Sequence, residues 1–523
     1  MVYASSVSSN EASSPSNNKR SVADKLRMKG TRPQIRIAID GAEDSWVMTY
    51  STLDRIEGKV YITCPVKTNI ESLSIDFIGT TKTFVEKLST ATAISGRTEA
   101  MHQFLKLSQP IPQTSWPTGR VLEANRTYEF KFIFVVPAQL LPRICRHNVT
   151  SSTVQQEHLK LPPSLGDRTV SGRGKTLLDD ISPDMARIKY GIVVAIQESD
   201  TNGPFYEPVT KIKKVRIVPA VDEAPPLTVE GPNSDYRLRA EKDIRKNIFK
   251  PKLGTLVVEA AQPKSLRVPS HKSEEASIES TVATINLRFD PADAKAQPPK
   301  LGSLGTKLKT TTFFSSSARC RVPSKNDMQW DFSQGMHSES ISLASRCMSM
   351  VKWDFHEDNS RPNSPERRDS TSSTSSVQGG PIEASSKYRG HGYYTAKVLV
   401  PISLPANKAW IPTFHSCLVS RAYALYMHLN VASGTMGGID LKIPVQISSE
   451  GNPDVLTETR NSLTLEEQAI EAFDADEFFL PRTISPMDAR LALNSNLGNQ
   501  ASTDLPPEYD AFPRTGSRIP VVV

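Results

Sequence analysis

The sequence predicts an all-β protein with two tandem immunoglobulin-type β-sandwiches. Apolar and polar residues alternate at period two through most of the chain, and the apolar positions are rich in β-branched and aromatic residues. Both features are typical of half-buried strands in sheets that pack face to face. Prolines interrupt the alternation, as expected between strands, because proline cannot donate to a ladder. A chain of 523 residues has room for about two to four domains.

The first predicted sandwich covers residues 31–222. It follows a Ser- and Asn-rich head, residues 1–30, which we expect to be disordered because it has few apolar residues to bury. Alternation predicts strands in the segments GKVYITCP, ESLSIDFIG, TYEFKFIFVVP and ARIKYGIVVAI. In the third of these, four aromatic residues share one face, so we expect that face to lie in the core.

The second predicted sandwich covers residues 223–449 and begins in the linker-like stretch 221–226. Alternation predicts strands in GTLVVEAAQP, TVATINLRFD, YYTAKVLVPISLP, CLVSRAYALYMHLNV and GGIDLKIPVQI. In the fourth strand, Arg421 shares a face with Tyr423 and Leu425. An arginine buried on an apolar face needs a partner carboxylate, because burial of an unpaired charge is costly. The alternative is an edge position from which the guanidinium reaches solvent.

Two more segments are predicted to be disordered, the insertion 356–386 and the tail 450–523. The insertion contains two candidate phosphorylation sites, because Ser364 precedes a proline and Ser370 follows Arg-Arg-Asp. The tail contains the best helical pattern, LTLEEQAIEAF, which is short enough to be marginal as an isolated helix.

The charge of the chain is uneven. Its net charge is +7, but the segment 451–523 has twelve acidic residues, five arginines and no lysine, so that segment carries −7 and the remainder +14. A basic body can approach anionic lipid headgroups at a membrane surface, and the alternative is an ordinary difference between body and tail. We do not expect the chain to bind nucleic acid.

The five cysteines are scattered and lack C-x-x-C spacing, as expected of reduced thiols in the cytosol. The first twenty residues have no apolar core of a signal peptide, and no run of eighteen apolar residues predicts a membrane span. We therefore expect a cytoplasmic protein that meets membranes only peripherally.

The sequence shows no catalytic constellation. The segment SGRGKT resembles part of a phosphate-binding loop, but Thr169 stands where that pattern needs glycine. Two Cys/His pairs, Cys145 with His147 and His415 with Cys417, have i, i+2 spacing, which differs from the usual spacings of structural zinc sites. We interpret these pairs as coincidence and predict a non-enzyme without metal or cofactor.

Three stretches resemble the arrestin family, in the form of the fungal α-arrestins. YEFKFIFVVPAQLLP is similar to the signature strand and loop of the arrestin N-terminal domain. WIPTFHSCLVSRAYALYMHLNV, followed by GGIDLKIPVQI, is similar to the closing strands of the C-terminal domain. The resemblance spans residues 33–449 and departs from the family in a long connection, 143–183, and in the insertion. It implies an adaptor that links membrane cargo, such as nutrient transporters or receptors, to a HECT ubiquitin ligase with WW domains.

The tail sequence LPPEYDAF is similar to the PY motifs that such adaptors carry after the second sandwich. Pro506 and Pro507 favour the extended polyproline II conformation, which WW domains bind in an aromatic-lined groove. Tyr509 would then fill a second pocket with its ring and form a hydrogen bond through its hydroxyl. The sequence therefore predicts that these three residues bind a ligase, which would promote ubiquitination and endocytosis of cargo.

Two other hypotheses remain open. A ubiquitin-independent sorting coat or signalling scaffold can have the same double sandwich, but such a protein has no need of the PPEY motif. A sandwich-type enzyme or carbohydrate-binding protein would require a convergent group of polar residues, which the sequence does not show.

Overall fold

The computed structural model describes residues 32–41, 48–87, 96–173, 175–199, 208–227, 235–245, 251–272, 278, 280–326, 328, 331–357, 382–388, 390, 392–431 and 437–452. All of them belong to one compact unit. Strands dominate this part of the chain and form several sheets, so the predicted all-β class is confirmed. No helix within these ranges is long and apolar enough to cross a membrane.

The first lobe consists of the strands up to residue 217. They are β1 (Gln34–Ile39), β2 (Thr49–Tyr50), β3 (Arg55–Thr63), β4 (Thr68–Lys87), β5 (Gly96–Ser108), β6 (Val121–Leu122), β7 (Thr127–Val135), β8 (Gly172–Arg173), β9 (Thr176–Leu177), β10 (Ala186–Glu198) and β11 (Val209–Ile217). One sheet has the order β1-β3-β7 and the larger one β2-β11-β10-β4-β5, with β6 paired to β4. β8 and β9 form a separate hairpin.

Alternation in the sequence becomes alternation of burial in the first lobe. Along β7, Phe130, Phe132 and Phe134 are buried, while Lys131 and Ile133 between them are exposed. Antiparallel pairing of β3 with both β1 and β7 holds this register. The inward residues of both sheets form one hydrophobic cluster, which we call the first core.

The second lobe contains the remaining strands. They are β12 (Arg239–Arg245), β13 (Lys252–Ala260), β14 (Leu266–Val268), β15 (Thr281–Pro291), β16 (Leu301–Ser315), β17 (Gln334–Cys347), β18 (Asp354–His356), β19 (Tyr393–Ile402), β20 (Phe414–His415), β21 (Val419–Val431), β22 (Ile439–Val445) and β23 (Ile447–Ser449). The two large sheets have the orders β12-β13-β15-β19-β18 and β17-β16-β21-β20, with β22 paired to β21 and β14 paired to β23. Their inward residues form the second core.

Several elements lie in the connections of the first lobe. They are 3-10 turns at Gln113–Ser115, Thr118–Arg120 and Pro142–Ile144 and the helix α1 (Ser152–Leu159). The last two belong to the long connection between β7 and β10, residues 136–185, which we call the bridging connection. The sequence did not predict α1. The predicted helix near 463–473 lies outside the described residues.

The boundaries of the predicted segments are more ordered than the sequence indicates. Val221, in the predicted linker, pairs with Ser449 of β23. At the edge of the predicted insertion, the Ser385 amide donates to Asp290 at 2.6 Å. At the start of the predicted tail, the Asn452 amide group donates to Asp54 of the first lobe at 2.7 Å. The predictions for residues 1–30, 358–381 and 453–523 lie outside the described residues.

The two lobes share parts of their cores. Second-lobe residues that belong to the first core are Phe314, Ile411, Phe414, Leu418 and Val419. In the other direction, Ile181 of the bridging connection belongs to the second core, although its φ of 57° is unfavourable for a β-branched residue. The Thr83 hydroxyl also donates to the Ser315 carbonyl at 2.6 Å across the boundary. Because each core contains residues of the other lobe, we expect the lobes to stabilise each other.

Candidate metal centre

Four side chains with metal-binding chemistry meet where the bridging connection contacts the second lobe. They are Cys145, His147, His158 and Cys417, and one potential ligand atom from each lies within 4.8 Å of all the others. The Cys145 Sγ lies 3.2 Å from His147 Nε2 and 3.6 Å from His158 Nδ1. Three of these residues come from the first lobe and the fourth from the second.

A 3-10 turn positions Cys145. Pro142 occupies its first position, where proline is favoured because its missing N–H has no intrahelical partner to lose. The turn is closed by hydrogen bonds from the Ile144 amide to Leu141 at 2.9 Å and from the Cys145 amide to Pro142 at 3.1 Å. The chain leaves the turn at Cys145 and reaches His147 two residues later, so both side chains face the same point.

Helix α1 positions His158. Its N-cap is Ser151, whose hydroxyl accepts a hydrogen bond from the Val154 amide at 3.3 Å. Val154 and His158 are the buried residues of α1, and their i, i+4 spacing places them on one face. The Leu140 amide donates to Leu159 at 2.7 Å, which holds the end of the helix beside the 3-10 turn. His158 is thereby brought next to Cys145.

A tight turn between β20 and β21 positions Cys417. The Ser416 amide donates to the Val419 carbonyl at 2.9 Å, and the Ser416 hydroxyl accepts from the Val419 amide at 3.2 Å. The buried Arg319 donates from its backbone amide to the Cys417 carbonyl at 3.0 Å. Its guanidinium donates to the Leu418 carbonyl, also at 3.0 Å. These bonds fix the turn against the neighbouring connection of the second lobe.

Burial sets the protonation of the cluster. Cys145, His158 and Cys417 are only 3%, 2% and 4% exposed. Burial raises the pKa of both cysteines, that of Cys417 far above its usual range, and the adjacent Cys145 contributes to this rise. Burial also lowers the pKa of His158 to about 4, with a further contribution from His147. His158 is therefore neutral near pH 7 and has a free ring lone pair.

The orientation of His147 is that of a metal ligand. Its Nδ1 lies 3.1 Å from the Asn148 carbonyl, which can only accept a hydrogen bond. This contact places the ring proton on Nδ1 and leaves the Nε2 lone pair directed at the cluster. Histidines that bind metals commonly donate their other ring N–H to a carbonyl or carboxylate in this way.

The arrangement differs from what the sequence indicates. The spacing in the sequence pairs Cys145 with His147 and Cys417 with His415, and it predicts coincidence rather than a metal site. In the structure His415 does not belong to the cluster, and burial lowers its pKa to about 4. The fourth member is His158, which has no signal in the sequence because it lies on a helix without a clear apolar period.

The other sequence-predicted sites are placed as follows. Pro506, Pro507, Tyr509, Ser364 and Ser370 lie outside the described residues. Arg421 lies on β21 between β16 and β20, and its side chain is entirely buried. It is therefore not at an edge from which its guanidinium reaches solvent.

Arg421 contacts the bridging connection. Its Nη2 donates to the Ser182 hydroxyl at 3.1 Å and to the Asp180 carbonyl at 3.3 Å. Among the described residues no carboxylate forms an ion pair with it, and its Nε has no hydrogen-bond partner. The expected partner carboxylate is thus replaced by a carbonyl and a hydroxyl. Arg421 helps to attach the bridging connection to the second lobe.

A cavity with a volume of about 460 Å³ also lies at the lobe boundary. It includes Arg216 and Lys408 in its lining. Both cations already have partners, since Arg216 donates to the Gly172 carbonyl and Lys408 forms a 2.7 Å ion pair with Asp179. Neither of these two side chains is therefore a free cation for an anion in the cavity.

Sequence comparisons give no family assignment: no protein-family model matches the chain, and no curated protein matches it significantly.

Proposed function

We propose that this chain is an adaptor of the α-arrestin type, with its two lobes as tandem arrestin-like β-sandwiches. In this proposal it recruits a WW-domain HECT ubiquitin ligase to plasma-membrane cargo such as nutrient transporters, which promotes their ubiquitination and endocytosis. The observation that carries the proposal is an all-β, two-lobed body followed by a tail with the sequence LPPEY.

The body supports a binding role rather than a catalytic one. The cluster at the lobe boundary offers four protein side chains, whereas catalytic zinc sites keep one position open for water or substrate. The shared cores hold the lobes together as a platform for partners. The +14 charge outside the tail also favours peripheral contact with anionic membranes.

The alternative is a ubiquitin-independent coat or signalling scaffold with the same body. The PPEY motif favours the ligase adaptor, because its two prolines and its tyrosine match the two features that a WW groove reads. Tyr509 is the only tyrosine after Tyr426, so the aromatic anchor of the tail is unambiguous.

The test measures binding of the full-length chain to the WW domains of a HECT ligase by titration calorimetry. Replacing an anchor side chain at the centre of an interface typically costs about 2 kcal/mol or more, so Tyr509→Ala should weaken binding by roughly 30-fold or more. Phe479→Ala removes a phenylalanine ring from the same tail, outside the PPEY motif, and is the matched control. Equal affinities for the two variants would refute docking through PPEY.

A second experiment addresses cargo. Proximity labelling in cells with the intact chain and with Tyr509→Ala should recover the same membrane proteins, while the ligase is recovered only with the intact chain. Loss of both ligase and cargo with Tyr509→Ala would contradict a body that binds cargo independently of the tail.

A further inference from the structure

We propose that Cys145, His147, His158 and Cys417 bind one structural Zn²⁺ that joins the bridging connection of the first lobe to the second lobe. The proposal concerns the body alone and does not depend on the proposed ligase docking. It is carried by the convergence of four ligand atoms from segments that are far apart in sequence.

The ligand set is the one that zinc prefers. Structural zinc sites are tetrahedral and closed, and two cysteines with two histidines is one of their common compositions. Zinc–sulfur bonds of about 2.3 Å and zinc–nitrogen bonds of about 2.0 Å place neighbouring ligand atoms about 3.6 Å apart. The Cys145 Sγ lies 3.2 Å and 3.6 Å from the two histidine nitrogens, close to that spacing.

Charge and burial agree with a divalent cation. Two thiolates and Zn²⁺ form a site of zero net charge, which avoids the large cost of leaving a charge buried and unpaired. Cys145 and Cys417 are both buried, and their sulfur atoms lie within 4.8 Å of each other. His147 has its Nδ1 against the Asn148 carbonyl and so presents Nε2 as a ligand.

The metal would join two segments, the bridging connection and the β20–β21 turn, that are far apart in sequence. Three ligands lie within residues 145–158 of the bridging connection, and Cys417 lies in the β20–β21 turn. The same two regions are in contact nearby, because the Thr150 amide donates to the Cys320 carbonyl at 2.8 Å. A metal at this point therefore fixes the bridging connection on the second lobe.

Metal content tests the proposal directly. The full-length chain, purified without an affinity tag that binds metals and without added metal, should contain about one zinc per chain by mass spectrometry, as a single four-ligand site requires. Cys417→Ser should lower the zinc affinity by more than about 100-fold, because even partners outside the ligand set commonly contribute 10- to 100-fold. Cys320→Ser is the matched control, since this exposed thiol lies beside the site but outside the cluster.

A second variant distinguishes loss of a zinc ligand from misfolding, which Cys417→Ser could cause because Cys417 is buried. His147 is only half-buried, so His147→Ala removes a ligand without opening the core, and it should also lose zinc while its circular dichroism stays unchanged. Cobalt(II) bound to the intact chain should show the visible absorption of a tetrahedral thiolate site, and this absorption should be lost in both ligand variants.

Three results would overturn the proposal. Intact protein without zinc, or with a disulfide between Cys145 and Cys417, would remove the site. Zinc retained at the intact level in Cys417→Ser would show that the metal does not join the lobes. Unchanged hydrogen exchange in residues 145–158 and 414–419 after zinc removal by a chelator would show that it does not fix them.

Discussion

Replacement of Asn452 by alanine should destabilise the body, although this residue lies in what the sequence predicts to be the tail. Asn452 is 1% exposed, and its Nδ2 donates to Asp54 Oδ1 at 2.7 Å. Asp54 is 3% exposed, and its other oxygen accepts from the Ser51 amide at 2.6 Å. Asn452→Ala therefore leaves one oxygen of a buried carboxylate without this donor.

The size of the effect follows from that contact. Hydrogen bonds to charged groups contribute about 1.5–3 kcal/mol, and a buried acceptor without its donor has the full desolvation cost. We therefore expect Asn452→Ala to lower the free energy of unfolding by about 2 kcal/mol. In a cooperative body of about 420 residues, with an unfolding entropy of about 2.1 cal/mol/K per residue, this corresponds to a melting temperature about 2 °C lower.

Urea unfolding of the full-length chain, followed by tryptophan fluorescence, measures this difference. Asn430→Ala is the matched control, because the Asn430 Nδ2 also donates a hydrogen bond, to the Ser303 hydroxyl at 2.8 Å, but at an exposed site. Its effect should stay within about 0.5 kcal/mol. The reasoning is refuted if the two variants unfold with the same free energy.

The same contact places the end of the stable body at residue 452 rather than at residue 449. The sequence places the end of the second sandwich at residue 449, whereas the structure attaches Asn452 to the first lobe. A chain that ends at Ser449 should thus lose at least as much stability as Asn452→Ala, and a chain that ends at Asn452 should not. Equal stability of the two truncated chains would contradict this boundary.

Four more predictions follow from the structure and the sequence. Phe314→Ala should cost about 3–5 kcal/mol and destabilise both lobes together in calorimetry, whereas the half-exposed Phe355→Ala should cost about 1 kcal/mol or less. Burial, with a contribution from neighbouring lysines, lowers the pKa of Lys442 from 10.5 to about 8, so the folded state releases a proton that the unfolded state keeps. Stability should therefore rise between about pH 8 and 10.5, and this rise should be absent in Lys442→Met. Phosphopeptide mapping should find Ser364 or Ser370 modified after a nutrient shift, and two unmodified serines would count against a switch in the insertion. Because residues 451–523 contain no lysine, a co-expressed ligase should modify lysines before residue 451, in the head or in the sandwiches, and this modification should fall when the PPEY tyrosine is replaced.

Much of the strand pattern could be predicted from the sequence, because alternation reports directly which face of a strand is buried. β7, β10, β21 and β22 follow the predicted segments, and the inward residues of β21 are those that alternation indicates. β16 and β17 were not predicted. Along β17 every residue is at least partly exposed, so burial imposes no apolar period on this strand.

The candidate metal centre could be predicted only in part. The i, i+2 spacing of Cys145 and His147 is visible in the sequence, but a zinc site is usually recognised from two such pairs with standard spacings. Here the third ligand comes from α1, whose buried face consists of Val154 and His158 alone. The fourth, Cys417, is distant in sequence, and only the shared cores of the lobes bring it to the others.

The bridging connection links these observations. It carries three members of the metal cluster, it places Ile181 in the second core, and its Asp180 carbonyl and Ser182 hydroxyl accept from the buried Arg421. All of these contacts lie between the connection and the second lobe, so all of them oppose a separation of the two lobes. Asn452 opposes the same movement through a separate contact, because it follows β23 of the second lobe and donates a hydrogen bond to Asp54 of the first. Since two sets of contacts hold the lobes together, a variant that weakens either set should lower the unfolding temperature of both lobes together. It should not unfold one lobe alone.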